Sequence, residues 1–263
     1  MKLPFTQVDA FATRPFEGNQ AAVMPLDAWL PDDVLLAIAR ENNLSETAFT
    51  IPATGGDADY ELRWFTPGME VAMCGHATLA TGHVLIGDRS IVRFRTRKAG
   101  TLAVARAEEG YALDLPQVAV EPKPCLDVAA ALGTGEAPCF QSTGDAAEPA
   151  VIVLLQDEAA VRAVAPDFRA LAATGVMAIV TAPGAATDVA SRVFVPYCGI
   201  DEDPVTGSAH ASLVPFWAAR LGRDRFTAVQ ASARGGYLDC RLDGDRVVLV
   251  GGCFTTIEGT FIL

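Results

Sequence analysis

Apolar residues alternate with polar ones through 60–65, where Leu62 and Trp64 share a face with Thr66 just beyond, and this period predicts a strand. Residues 18–23 and 46–51 read as strands too. Between them, 31–42 carries Leu35, Ile38 and Ala39 at helical spacing. Pro31 suits a first helical turn, and Asp32 and Asp33 suit its positive end. From Gly75 an apolar helix runs to Gly87, whose freedom at positive φ fits a C-terminal cap. The second half repeats this order. A buried-type strand at 150–155 leads to a helix over 157–174, bent or broken near Pro166. Strands at 175–182 and 192–197 follow, then a helix from Gly207 to about Leu221, stopped by Gly222. Hairpin-like runs close each half: 91–96, 101–106 and 111–115, then 226–231, 237–242 and 247–250, the last two joined by Asp243-Gly244. A final strand covers about 254–263.

Elements that share an order without sharing residues predict an α+β protein of two related lobes. The expected boundaries are 1–118 and 119–253, with the last strand, about 254–263, available to complete the first lobe. The linker is expected at 116–124, where Pro116, Pro122 and Pro124 cluster. Alanine-rich stretches at 144–148 and 183–189 read as surface connections.

Composition narrows the function. At 263 residues and 51% hydrophobic, the chain can build one large core or two small ones. A net charge of −12 argues against nucleic acid, which needs a basic face, but leaves room for a local anion site. The opening MKLPFTQVDAF lacks the apolar segment of a secretion signal. No run approaches the roughly 20 apolar residues of a membrane span. Six dispersed cysteines without a Cys-x-x-Cys pair read as reduced thiols in a cytoplasmic protein. Three histidines with no clustered thiols give no zinc spacing, so no metal ligand is expected.

The candidate chemistry sits at two helix starts, Met73-Cys74-Gly75-His76-Ala77-Thr78 and Thr206-Gly207-Ser208-Ala209-His210. A helix start leaves backbone N–H groups without internal partners and carries partial positive charge. Glycine lets a ligand approach the backbone closely. Two such ends at matching places in a duplicated chain would meet at the lobe interface and hold a carboxylate through Gly75, Ala77, Gly207 and Ser208. Read singly, each is an ordinary cap. Glu46, between a helix end and a strand, can shed water, which favours its protonated form, and so take up and return a proton near neutral pH. Its plain alternative is a solvated strand-end carboxylate. Asp203, held out of the helix by Pro204, is a partner for a substrate amine or hydroxyl, a second acid/base, or a helix-start charge. His76 donates to a substrate or caps its own helix. Asn19 is a polar contact or a turn residue. His83 and His210 are left outside the site. Cys74 at a helix start invites a nucleophile reading, but His76 is too close in sequence to be presumed its base.

Five ordered segments carry a resemblance: VDAFATRPFEGNQAAV at 8–23, ENNLSETAF at 41–49, RWFTPGMEVAMCGHATLATGH at 63–83, GIDEDPVTGSAHASL at 199–213 and ASARGGYL at 231–238. Together they resemble the PhzF-like phenazine biosynthesis family over nearly the whole chain. The resemblance implies a diaminopimelate epimerase-like fold, with two pseudo-symmetric lobes, each a rolled, mostly antiparallel sheet around a central helix, and a homodimer. The family's type member isomerises trans-2,3-dihydro-3-hydroxyanthranilate. Its catalytic glutamate falls on Glu46, its substrate-contacting histidine on His76, and its aspartate and serine on Asp203 and Ser208. The wider fold family includes epimerases with two catalytic cysteines. Cys74 resembles the first, but Pro204-Val205-Thr206-Gly207 holds no thiol where the second would sit, which argues against a two-cysteine racemase.

The expectation is an isomerase without metal or organic cofactor, acting on a small, cyclic amino or hydroxy carboxylic acid. Glu46 moves the proton, His76 and Asp203 assist, and Asn19, Gly75, Ala77, Gly207 and Ser208 bind. The alternative is a non-catalytic small-acid binding or regulatory protein on the same scaffold. A cysteine hydrolase is a third reading, disfavoured because no separate Cys/His pair is visible.

Overall fold

The computed structural model describes residues 1–143 and 149–263. The surface connection expected at 144–148 lies outside them. The chain divides into two compact units, Met1–Leu115 with Val250–Leu263, and Pro116–Leu249.

The first unit runs β1 (Lys2–Ala10), β2 (Asn19–Pro25), α1 (Asp32–Asn42), β3 (Glu46–Pro52), β4 (Tyr60–Phe65), β5 (Glu70–Val71), α2 (Gly75–Leu85), β6 (Ile91–Thr96), β7 (Thr101–Arg106) and β8 (Tyr111–Pro116). Consecutive strands pair antiparallel, except where a helix intervenes. β2 pairs parallel with β3 across α1, and β4 parallel with β6 across α2, because a parallel return needs a crossover long enough to carry a helix. β3 is buried from Thr47 to Thr50, as a strand covered on both faces must be. On one face Leu35, Ile38 and Ala39 of α1 pack with Met24, Phe49 and Phe65. α2 is apolar nearly all round and buried from Gly75 to Gly82, the pattern of a central helix. Gly82 permits this packing: a Cβ there would lie 2.4 Å from Val104 Cγ1 on β7.

The second unit runs β9 (Val120–Pro122), α3 (Leu126–Leu132), β10 (Cys139–Ser142), β11 (Ala150–Leu154), α4 (Glu158–Ala163), α5 (Phe168–Thr174), β12 (Met177–Pro183), β13 (Val189–Val195), β14 (Ile200–Asp203), α6 (Gly207–Leu221), β15 (Arg225–Gln230), β16 (Gly236–Asp243) and β17 (Arg246–Gly251). Its pairing follows the same scheme. β11 is parallel to β12 and β13 parallel to β15, each across a helix, and the neighbouring pairs are antiparallel. α6 is buried through most of its length. The final strand, β18 (Cys253–Ile262), returns to the first unit and pairs antiparallel with β1 from Lys2↔Ile262 to Ala10↔Cys253. In the second unit β9 pairs with β10 in the same way. Each unit thus has the same plan, a mostly antiparallel sheet with a buried central helix.

Three local differences from the sequence reading stand out. β1 was not anticipated, because Pro4 and the buried polar Asp9 blur its alternation. The proline-rich linker expected at 116–124 contains β9, since a short strand paired through only three positions tolerates Pro122 at its end. α3 and β10 follow it, also unforeseen. The helix over 157–174, expected to bend or break near Pro166, is broken there: Asp157 and Asp167 each cap a separate helix, accepting from the Ala160 and Ala170 N–H groups.

Candidate active site

In the first unit β2, β3 and α2 converge through buried side chains. Gly18 (φ 68°) ends the loop leading into β2, where a Cβ would stand 2.2 Å from the Ala10 carbonyl oxygen, so this turn requires glycine. Asn19 follows, completely buried. Ser45, just before β3, donates its hydroxyl to Asn19 Oδ1 at 3.0 Å. That bond fixes the amide, whose Nδ2 then donates to His76 Nδ1 at 3.1 Å. With Nδ1 accepting, a neutral His76 ring carries its proton on Nε2. Nε2 lies 3.0 Å from Glu46 Oε2, at the first position of β3. The hydrogen bonds run one way, from Ser45 through Asn19 to His76, and the Nε2–Glu46 approach is a close ion-pair contact that lacks hydrogen-bond geometry. His76 is 2% exposed, and the Glu46 side chain 13%. Gly75 and Ala77 flank His76 in the buried first turn of α2.

Cys74 precedes that helix in extended conformation (φ −143°). Its thiol lies 3.5 Å from His76 Nδ1. The two side chains excluded as a pair on sequence distance are therefore neighbours, because an extended N-cap residue and the second helical residue turn their side chains the same way. Asn19 already donates to that nitrogen, which competes with any role as base toward the thiol.

In the second unit Asp203 ends β14 and is 6% exposed. Its carboxylate accepts from the Thr206 hydroxyl at 2.5 Å. Gln230, wholly buried at the end of β15, locks this turn from the other side. Its Oε1 accepts from the Thr206 N–H at 2.9 Å, and its Nε2 donates to the Asp203 carbonyl at 2.7 Å. Ser232 Oγ donates to the Pro204 carbonyl at 2.9 Å. His210 Nδ1 donates to the Thr206 carbonyl at 2.8 Å, and its Nε2 has no partner among the described residues. Burial pushes its pKa down to about 4. Gly207 and Ser208 open α6, with Gly207 buried and Ser208 half-buried. The two helix starts match in detail. Thr78 Oγ1 donates to the Cys74 carbonyl at 2.6 Å, as His210 does to Thr206, each from the fourth residue after the cap.

A sequence profile described as "Phenazine biosynthesis-like protein" matches residues 8–259. The chain belongs to the phenazine biosynthesis-like family. An uncharacterized isomerase of Pseudomonas aeruginosa is 50% identical to it over 273 residues, covering all of both chains. The crystal structure of a family member from Enterococcus faecalis superimposes with a TM-score of 0.89 at 44% identity, again over all of both chains. A hydroxyproline epimerase from Agrobacterium vitis, 14% identical, shares the fold alone, with a TM-score of 0.65 over 98% of this chain and 92% of its own.

Within this phenazine biosynthesis-like protein the residues singled out from sequence form two groups, one in each unit. Asn19, Glu46, Gly75, His76 and Ala77 gather at the start of α2. Asp203, Gly207 and Ser208 gather at the start of α6. Asn19 is a buried polar contact rather than a simple turn residue, since it sets the His76 ring. Ser45, Thr206 and Gln230 were not singled out. Ser45 and Thr206 lie inside the family segments, but a hydroxyl gives no linear sign of its partner. Gln230 stands just outside one. His83, left out of the site, bridges Tyr111 (3.0 Å) and Thr255 (2.9 Å) and so ties α2 to β8 and β18.

Proposed function

We propose that this protein is an isomerase that moves a proton within a small amino or hydroxy carboxylic acid, with Glu46 as the proton carrier and no metal or organic cofactor. The observation that carries the reading is the placement of Glu46 Oε2 3.0 Å from Nε2 of His76, whose ring is oriented through Nδ1 by Asn19 and Ser45. A general base needs a defined partner and orientation before it needs strength, and Ser45, Asn19 and His76 supply both. Glu46 takes a proton from an activated carbon and returns it elsewhere on the same conjugated system. His76 Nε2–H stabilises the carboxylate before transfer and the charge that develops on the substrate during it. In the first unit the N–H groups of Gly75 and Ala77, and in the second those of Gly207 and Ser208, each open a helix with donors suited to a carboxylate. Asp203, oriented by Thr206, is assigned the substrate amino or hydroxyl group. Proton transfer of this kind supplies about 10²–10⁴-fold, and positioning the rest. The absence of a thiol across residues 204–207 disfavours a two-cysteine racemase. The relative named as an isomerase and the family membership point the same way. A homodimer in the cytoplasm completes the proposal. No helix among the described residues is long and apolar enough to cross a membrane.

The test is isotope exchange. Cyclic amino and hydroxy acids are incubated with protein in deuterated water, and their carbon-bound protons are followed by NMR. Washout with the native protein and its loss in Glu46→Gln are expected. Tight binding without exchange across the panel would replace the isomerase with a small-acid binding protein.

A further inference from the structure

Cys74, His76 and Glu46 each bring one metal-ligating atom to the same point. The thiol sulfur, a ring nitrogen and a carboxylate oxygen all lie within 4.8 Å of one another. We propose that these three side chains form a binding site for a zinc-class divalent cation, and that the bound ion shuts off proton transfer. The binding half stands on geometry alone. The inhibitory half rests on the reading of Glu46 as proton carrier.

The donor set decides the class of ion. Sulfur with imidazole nitrogen and one carboxylate oxygen suits zinc and its neighbours, whereas calcium and magnesium take oxygen ligands. Bonds of about 2.0–2.3 Å in a tetrahedron put ligand atoms about 3.3–3.8 Å apart. The sulfur-to-Nδ1 distance is already 3.5 Å; the widest separation, within 4.8 Å, must close by about 1 Å, and the ion takes the place of the Asn19 amide at Nδ1. Glu46 can make that movement, because it stands at the open end of β3 while Cys74 and His76 are held by the start of α2. Thiolate and carboxylate together neutralise a doubly charged ion, which offsets the cost of burying it. Three protein ligands leave a fourth position open, to water or to a substrate carboxylate. Metal bonding occupies the Glu46 oxygen, so the proton carrier is lost. The linear sequence holds no such signal: the ligands come from two elements, and Cys74-x-His76 alone has no zinc spacing.

Cobalt(II) reads the site without substrate. Titrated into the reduced full-length protein, it should give a near-ultraviolet sulfur-to-cobalt charge-transfer band, saturating at one ion per chain and displaced by zinc. Cys74→Ser should abolish the band, and Glu46→Gln should weaken cobalt binding by about tenfold or more. Cys125 and Cys139, which line one apolar groove in the second unit, are the internal control: the double change Cys125→Ser with Cys139→Ser should keep the band. No band, a band surviving Cys74→Ser, or a band lost in the double variant overturns the site. For the inhibitory half, zinc should stop deuterium washout by native protein, and the exchange that Cys74→Ser retains should resist zinc. Cobalt bound at Cys74 with washout untouched by zinc overturns inhibition while leaving the isomerase reading intact. Cobalt bound at Cys74 with no washout on any acid instead removes the isomerase and keeps the ion site.

Discussion

At the scale of single residues, the direction of one hydrogen bond matters most. Asn19 donates to His76 Nδ1 because Ser45 occupies its oxygen. Asn19→Asp replaces that donor with an acceptor and sets His76 between two carboxylates. The orienting donor is then lost, and isotope exchange should fall by about 10–100-fold, as for other residues that act through an orienting bond. His210 makes a separate prediction. Its folded value of about 4 lies below the ordinary 6.5, so the fold favours the neutral ring. Stability is complete above pH 6.5 and is lost as pH falls toward 4, by about 3 kcal/mol at most for a shift of this size. His210→Asn keeps a donor for the Thr206 carbonyl and cannot titrate. Its urea midpoint should change less than the native midpoint across that window.

At the scale of elements, the central helices depend on close approach. Gly82 lies inside α2, where alanine would raise helix propensity by about 1 kcal/mol. The 2.4 Å clash of its Cβ with Val104 outweighs this, since overpacking a core costs about 1–3 kcal/mol. Gly82→Ala should lower the melting temperature, and adding Val104→Ala should recover part of the loss. A packing role predicts that rescue; a purely backbone role does not. α1 and the first hairpins were legible in the chain, because Leu35, Ile38 and Ala39 repeat at helical spacing and 91–96 and 101–106 alternate around Ala99-Gly100. β1 and β9 were not. Each takes its stability from a partner strand far away in sequence, and a local window does not contain the partner.

At the scale of the whole molecule, the chain makes the same unit twice but closes the first with its own end. β18 covers one edge of β1 over its full length. Removing residues 253–263 bares that edge and unties His83 from Thr255. The shortened protein should lose cooperative unfolding in its first unit and aggregate, measured by calorimetry and light scattering, while a single change at exposed Ile262 should be nearly silent.

The sequence by itself determined the two-fold order of elements, the two glycine-opened helices and the residue types of the candidate site. Those features are written in local periodicity, in caps and in short motifs, which depend on neighbours within a few positions. Only the tertiary structure decided which side chain faces which. It brought Cys74 against His76, aimed the Asn19 amide at the ring, and set Gln230 beneath Asp203. The last two contacts join residues from separate strands and helices, and side-chain hydrogen bonds leave no period along the chain from which to read them.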